Sequence, residues 1–331
     1  MMPGSAPRTV LMTGCKVNLG LRIVGVRDDG YHLLDSTFLP LASPRDRLEV
    51  HAEPGSSLTL VCDDLDVDPL RNTLVRAHEV YAEATGFSPG LRVVLHKGIP
   101  TGAGLGGGSS DAAALLRLLD RMAPAPIAGP RLIDIALRVG ADTPFFLQRA
   151  TCRVTGVGEE LTPCPTPCPG MWLALVCPPL KVKTKWAFDA YDKWRKSQTG
   201  SGPSAPLPDA VPALLREPAE DTSANPFKND LEPVVFAAHP TLAHIKTRLL
   251  EMGAAHAFMS GSGSSIVGIF PRTHFAAAMR AAAELRAHTC RVHVRRIHPG
   301  PDPGTTGQAM QGVPQGQAQA PESLDKTPAC D

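Results

Sequence analysis

The chain has 331 residues, with 33 basic and 32 acidic side chains and a formal net charge of +1. That balance removes the electrostatic basis for bulk binding to nucleic acid or an anionic membrane. A 43% apolar and 20% charged composition is that of a folded globular protein, and the length suggests two domains. The 30 glycines and 33 prolines exceed ordinary usage, so either loops abound or part of the chain lies outside the folded domains.

Eight cysteines stand at 15, 62, 152, 164, 168, 177, 290 and 330. None forms a CxxC pair, and CPTPC (164–168) has no matching second pair or histidine cluster, which argues against a zinc site. A disulfide scaffold does not suit a chain with this much core. The opening MMPGSAPRTVLMTG lacks the apolar core of a signal peptide, and no apolar run approaches the length of a spanning helix. The expectation is a reducing, cytoplasmic setting.

In chain order, residues 8–25 alternate, with Cys15, Val17, Leu19, Leu21 and Ile23 on one face and Lys16, Asn18 and Arg22 on the other, which predicts a half-buried strand. RLEVHAE (47–53) and SLTLVC (57–62) read as strands on either side of a Pro54-Gly55 turn. A helix over 73–86 stops at Gly86, a strand covers 91–97, and a helix runs from about 109 to 122. Strands cluster ahead of helices, so the first half reads as α+β.

The second half opens with the strand WLALVC (172–177) and a helix near 184–195. The Pro/Ser/Gly-rich stretch 197–224 reads as a surface insertion. A helix over 241–253, strands on either side of GSGS (261–264), a helix over 273–288 and a strand over 291–297 complete a ferredoxin-like order. Residues 299–331 have almost no large apolar side chains and read as a disordered tail.

The strongest chemical signal is KGIPTGAGLGGGSSDAAALLRLLD (97–120), a glycine-rich loop running straight into an apolar helix. Glycines admit an anion close to the backbone, and free N–H groups at a helix start attract it. Gly102, Gly104 and Gly107 form a literal GxGxxG, but no strand leads directly into them, and PAPIAGP follows the helix where a second parallel strand should stand. No Gly-Lys-Ser/Thr closes the run, so a Walker A loop fails as well. A different phosphate-binding loop is left, with a flexible linker as the plain alternative. Taken singly, Lys16 reads as an exposed lysine, Asp142 as a turn residue, Tyr31-His32 as a surface turn and GSGS as a hairpin.

Together with that loop, CKVNLGL (15–21), GADTPFF (140–146) and MSGSGSS (259–265) resemble the motifs of the GHMP kinases. The resemblance runs from about residue 10 to 298 and includes TGVGEELTP (155–163) and NDLEPVV (229–235). It implies an α+β, two-domain GHMP kinase fold. An N-terminal ribosomal-protein-S5-like, ATP-binding domain would span 8–165 and a C-terminal ferredoxin-like domain 170–298. Within the family, VNLGLRIVGVRDDGYHLLDSTF (17–38) is most similar to the branch that uses ATP to phosphorylate the 2-hydroxyl of 4-diphosphocytidyl-2-C-methyl-D-erythritol, in non-mevalonate isoprenoid synthesis. Another small-molecule kinase of the family, for mevalonate or homoserine, is the nearer rival. A non-catalytic nucleotide-binding regulator is the more distant one.

By this resemblance Asp142 takes the proton of the attacking hydroxyl and Lys16 orients both. Gly102, Gly104, Gly106, Gly107, Gly108, Ser109 and Ser110 hold the ATP phosphates, with Lys97 and Pro100 beside them; Asn72 and Leu74 border the adenine. Asn18, Tyr31, His32, Thr184, Phe188, Gly261, Ser262 and Gly263 receive the substrate, with the cytosine between Tyr31 and Phe188. Mg²⁺ is expected with ATP, although the resemblance assigns it no protein ligand, and the protein is expected to act as a monomer or homodimer. Cys15 departs from the family's usual alanine; the 197–224 stretch is longer than the family needs, and the tail has no counterpart.

Overall fold

A computed structural model describes residues 8–62, 72–127, 129–148, 150–199 and 226–299, which fall within one compact unit. Most of the predicted 197–224 insertion and, beyond its first residue, the 299–331 tail lie outside the described residues.

The first sheet is built on two long strands, β1 (Arg8–Val26) and β2 (His32–Ala52), paired antiparallel from Arg8↔His51 to Val26↔His32 with three irregularities in register. Strand β2 then pairs on its other side with two partners. Its C-terminal part takes β4 (Leu91–His96), and Ser36–Phe38 take β5 (Cys152–Thr155). The parallel strand β3 (Leu58–Cys62) and the short β6 (Glu160–Pro163) close the order β3-β4-β2-β5-β6. The predicted strands at 47–53 and 57–62 are both present, but β4 lies between them. The Pro54-Gly55 turn therefore changes rows and does not make a hairpin.

Helices α1 (Thr73–Thr85), α2 (Gly107–Met122) and α3 (Gly129–Val139) cover one face of this sheet. Leu74, Tyr81, Leu115 and Leu119 pack there on Leu48, Val50, Val93 and Leu95. Asn72 caps α1 by accepting from the Leu74 N–H at 2.8 Å, and Gly86 ends it in the left-handed region. The short α4 (Thr143–Gln148) follows α3.

The second sheet is antiparallel, in the order β10-β7-β9-β8. Its strands are β7 (Trp172–Cys177), β8 (His256–Met259), β9 (Ile266–Phe270) and β10 (Arg291–Arg296). Helices α5 (Thr184–Thr199), α6 (Glu232–Ala238), α7 (Pro240–Glu251) and α8 (Phe275–Ala287) complete it. The order and the intervening helices are those of a ferredoxin-like layer.

The half-buried reading of the first strand needs correction. Residues 15–21 are buried on both faces. Cys15, Val17 and Leu19 share a core with Leu173 and Leu175 of β7 and with Val267 and Ile269 of β9. Lys16 and Asn18, on the opposite face, are also almost fully enclosed. A strand clamped between a second sheet and a ligand cleft loses the wet face that alternation implies.

Candidate active site

Helix α2 starts at Gly107, two residues earlier than its sequence suggests. Gly106 precedes it in the left-handed conformation and provides no side-chain cap. The first backbone bond of the helix joins the Ser110 N–H to the Gly106 carbonyl, so the N–H groups ahead of it are free of helical bonds. Gly106, Gly107, Gly108 and Ser109 line a cleft of about 590 Å³. The loop is pinned from three sides. Lys16 N–H donates to the Leu105 carbonyl, Ser265 N–H to the Ala103 carbonyl, and the Thr73 hydroxyl to the Gly108 carbonyl.

Lys16 reaches the cleft wall from β1. Its ammonium donates to Asn18 Oδ1 at 2.5 Å, lies 3.5 Å from Asp142 Oδ2 and stands 4.3 Å from the centroid of the Phe38 ring. The Asn18 amide is oriented by its other end, which donates to Ser36 Oγ, while Ser36 donates to the Gly20 carbonyl. Asp142 sits just ahead of α4, its side chain 32% exposed, so its carboxylate meets both Lys16 and solvent.

The GSGS turn joins β8 to β9 and forms the far side. Ser260 Oγ accepts from the Asn18 N–H at 3.0 Å, and Asn229, 1% exposed, donates to the carbonyls of Met259 and Gly261. Thr184 and Ser262 hydroxyls meet at 3.0 Å, which ties the start of α5 to this turn.

Of the residues singled out from sequence, all but five line this one cleft: Lys16, Asn18, Asn72, Lys97, Pro100, Gly102, Gly104, Gly106, Gly107, Gly108, Ser109, Asp142, Thr184, Phe188, Gly261 and Ser262. Leu74, expected beside the adenine, is instead fully buried in the core beneath α1. Ser110 turns into the protein and borders a separate cavity of about 320 Å³ beside Phe145 and Phe146. Gly263 packs behind the loop, its carbonyl facing Gly104. Tyr31 is 62% exposed, with the Arg27 guanidinium 5.6 Å from its ring centroid. The His32 ring stacks on Phe188, with centroids 4.8 Å apart, so here His32 rather than Tyr31 is the aromatic neighbour of Phe188.

Sequence reasoning missed a buried ionic cluster beneath the loop. Asp46, fully enclosed, accepts from the N–H groups of Gly98 and Ile99 and from the Lys97 ammonium. Asp111 accepts from the Thr13 hydroxyl at 2.6 Å and from Lys97 at 3.4 Å. Burial works against the Lys97 charge, yet the two carboxylates hold its pKa above the ordinary lysine range. Burial raises the Asp111 pKa, and Lys97 opposes that rise. A lysine matched by two buried carboxylates anchors the loop and adds little free positive charge to the cleft. The one available signal was the Asp that follows Ser-Ser, which the apolar pattern of the helix masked.

A glycine loop opening a helix and a lysine–aspartate pair across a cleft from a second glycine turn define a phosphoryl-transfer architecture. Models of the GHMP kinases N terminal domain and the GHMP kinases C terminal region match residues 72–149 and 210–288. The chain belongs to the GHMP kinase family. It is 45% identical over 286 residues to a 4-diphosphocytidyl-2-C-methyl-D-erythritol kinase of Nitratidesulfovibrio vulgaris, covering 86% of this chain and 96% of the relative. The corresponding kinase of Lawsonia intracellularis is 41% identical, with 80% and 90% covered. A crystal structure of 4-(cytidine 5'-diphospho)-2C-methyl-D-erythritol kinase superposes with a TM-score of 0.64 at 35% identity, covering 86% of this chain and 98% of that one. A homoserine kinase from Cytophaga hutchinsonii, 17% identical with a TM-score of 0.59 and coverage of 88% and 95%, shares the fold.

Proposed function

We propose that this protein transfers the γ-phosphoryl group of ATP to the 2-hydroxyl of 4-diphosphocytidyl-2-C-methyl-D-erythritol, in the cytoplasm, on the non-mevalonate route to isoprenoids. The observation that carries the reading is the Lys16–Asp142 pair, 3.5 Å apart, on a cleft walled by the glycine loop. In this reading residues 8–165 form the N-terminal, ATP-binding domain and 170–298 the C-terminal GHMP kinase domain.

The free N–H groups at the start of α2 and the glycine backbone at 102–108 receive the ATP phosphates. Asn72, at the mouth of α1, borders the adenine. Asp142 accepts the proton of the substrate hydroxyl as that oxygen attacks. Lys16, steered by Asn18, fixes the carboxylate and stabilises negative charge on the oxygen.

Among the described residues no group of three His, Cys, Asp or Glu side chains could hold a metal alone. Magnesium would instead enter on the nucleotide phosphates with several of its waters, because such an ion takes only one or two protein oxygens. The Ser109 hydroxyl and the Asp142 carboxylate, on residues lining the cleft, would be among the oxygens that could hold it; when bound, the ion would neutralise phosphate charge.

The test is turnover of magnesium-ATP with the cytidyl substrate, mevalonate and homoserine in parallel. Only the first should be consumed; turnover of either other alcohol with none of the cytidyl substrate would overturn the assignment. Asp142→Asn should lower kcat by about 10²–10⁴-fold with ATP affinity nearly unchanged. Activity within a few-fold of wild type would remove Asp142 from the base role.

A further inference from the structure

Thr184, Phe188 and Asp192 follow one another at intervals of four on α5 and so share one helical face. The face runs from the GSGS turn, where Thr184 meets Ser262, to the start of β2, where His32 stacks on Phe188 at 4.8 Å with an interplanar angle of 27°. Asp192, one turn further on, contacts His32 Nε2 through Oδ1 at 2.7 Å. The His32 side chain is only 10% exposed, so ring and carboxylate meet in a partly dry setting. We propose that Asp192 is a specificity-determining positioning residue that fixes His32 as a hydrogen-bond acceptor for the exocyclic amine of cytosine. The proposal rests on the reading that the cleft takes a cytidyl substrate.

An ionised carboxylate has no proton to give, so the His32 nitrogen that meets it must carry the hydrogen. In the neutral ring this leaves Nδ1 as the acceptor. Nδ1 has no hydrogen-bond partner among the described residues and is not sealed from solvent. The Phe188 face below and the Asp192 contact at one edge hold the ring plane, so its remaining polar edge is presented in a set orientation.

Cytosine offers an amine donor where uracil offers a carbonyl acceptor. An acceptor nitrogen therefore pairs with the first and opposes the second. Without Asp192, the ring is free to place its hydrogen on Nδ1 and satisfy uracil as well. Asp192 thus contributes to discrimination without touching the base, an effect that falls on substrate binding more than on the transfer step.

The experiment measures CDP and UDP binding to the purified full chain by calorimetry, together with KM and kcat for the cytidyl substrate. Wild type should bind CDP at least about tenfold more tightly than UDP, the value of one well-placed hydrogen bond. Asp192→Ala should bring the two affinities within about threefold, chiefly by weakening CDP, and should raise KM proportionally more than it lowers kcat. Asp192→Glu should restore most of the preference. Asp189→Asn, one turn earlier and paired with the exposed Lys185, should leave it unchanged. If Asp192→Ala keeps the wild-type CDP/UDP ratio, or if wild type has no preference for CDP, the proposal is wrong. Wild type that turns over the cytidyl substrate while Asp192→Ala keeps its ratio defeats this inference alone. Wild type that neither binds CDP nor consumes the substrate defeats the functional reading, and this inference with it.

Discussion

Gly104 and Gly86 share a φ of +75°, but one sits in a packed cleft wall and the other at an open helix end. That match separates backbone strain from packing. A Cβ on Gly86 meets nothing within 4 Å, so Gly86→Ala carries only the left-handed penalty, about 1–2 kcal/mol. A Cβ on Gly104 would lie 2.6 Å from the Ser260 carbonyl oxygen and 2.9 Å from that of Gly263. Both are backbone atoms of a turn braced by Asn229 and by the Ser260–Ser265 bond, so they cannot swing aside as a side chain would. Overpacking of this kind adds about 1–3 kcal/mol to the same strain. Equilibrium unfolding in urea should therefore place Gly104→Ala at least about 1 kcal/mol below Gly86→Ala. The Gly104 variant should also raise KM for ATP, because relief of the clash moves the loop away from the turn. Equal unfolding free energies for the two variants would refute the claim that loop and turn are locked backbone to backbone.

Lys97→Met would leave the fully buried Asp46 and the neighbouring Asp111 without their cation. Removing one partner of such a cluster costs about 3–5 kcal/mol; a loss below about 1 kcal/mol in urea unfolding would show that the charge is held elsewhere. His293 lies in β10 with Nε2 buried and without a partner among the described residues. Burial first, then Arg295, Arg286 and Arg291, hold its pKa below the ordinary 6.5. As pH falls below about 6.5 the unfolded chain takes up a proton that the folded ring refuses, so this group lowers stability in that window and is neutral above it. His293→Leu should therefore show a smaller fall in Tm than wild type between about pH 7.5 and about pH 5.5; an identical fall would place the acid sensitivity elsewhere.

The strands and long helices were legible wherever a periodic apolar face met a plain stop signal, as at Gly86 after α1 or Gly253 after α7. Helix α3 was missed because Pro130 and the PAPIAG run before it read as loop, and β5 and β6 because four-residue strands carry too little alternation. The glycine loop could be read because its chemistry is local. Lys16 and Asp142 could not be read as a pair from spacing, since 126 positions separate them; the motif resemblance alone brought them together. Asp46 has no local signature at all, and Asn229, although it opens the NDLEPVV stretch, gave no sign of its role, as each acts by supporting backbone from a distant segment. The Asp192 contact was half legible: its four-residue spacing from Phe188 is in the sequence, but the ring it meets belongs to β2.

The arrangement around Lys16 bears on which group does chemistry. Buried lysines usually shed their charge or find a carboxylate for it. Lys97 does the latter with Asp46 and Asp111, and its charge is spent on structure. Lys16, equally enclosed, has instead a neutral amide at 2.5 Å, an aromatic face at 4.3 Å and one carboxylate at the longer distance of 3.5 Å. An amide oxygen and a ring face stabilise an ammonium without neutralising it. Part of the positive charge therefore remains available at the cleft wall, next to a carboxylate whose outer side meets solvent. In the proposed reaction an incoming hydroxyl would approach Asp142 from that open side, with Lys16 close to the same oxygen. In the proposed reaction the two lysines would divide the work through their partners: two carboxylates brace Lys97, and an amide in place of a second carboxylate would leave Lys16 able to respond to charge that develops during transfer.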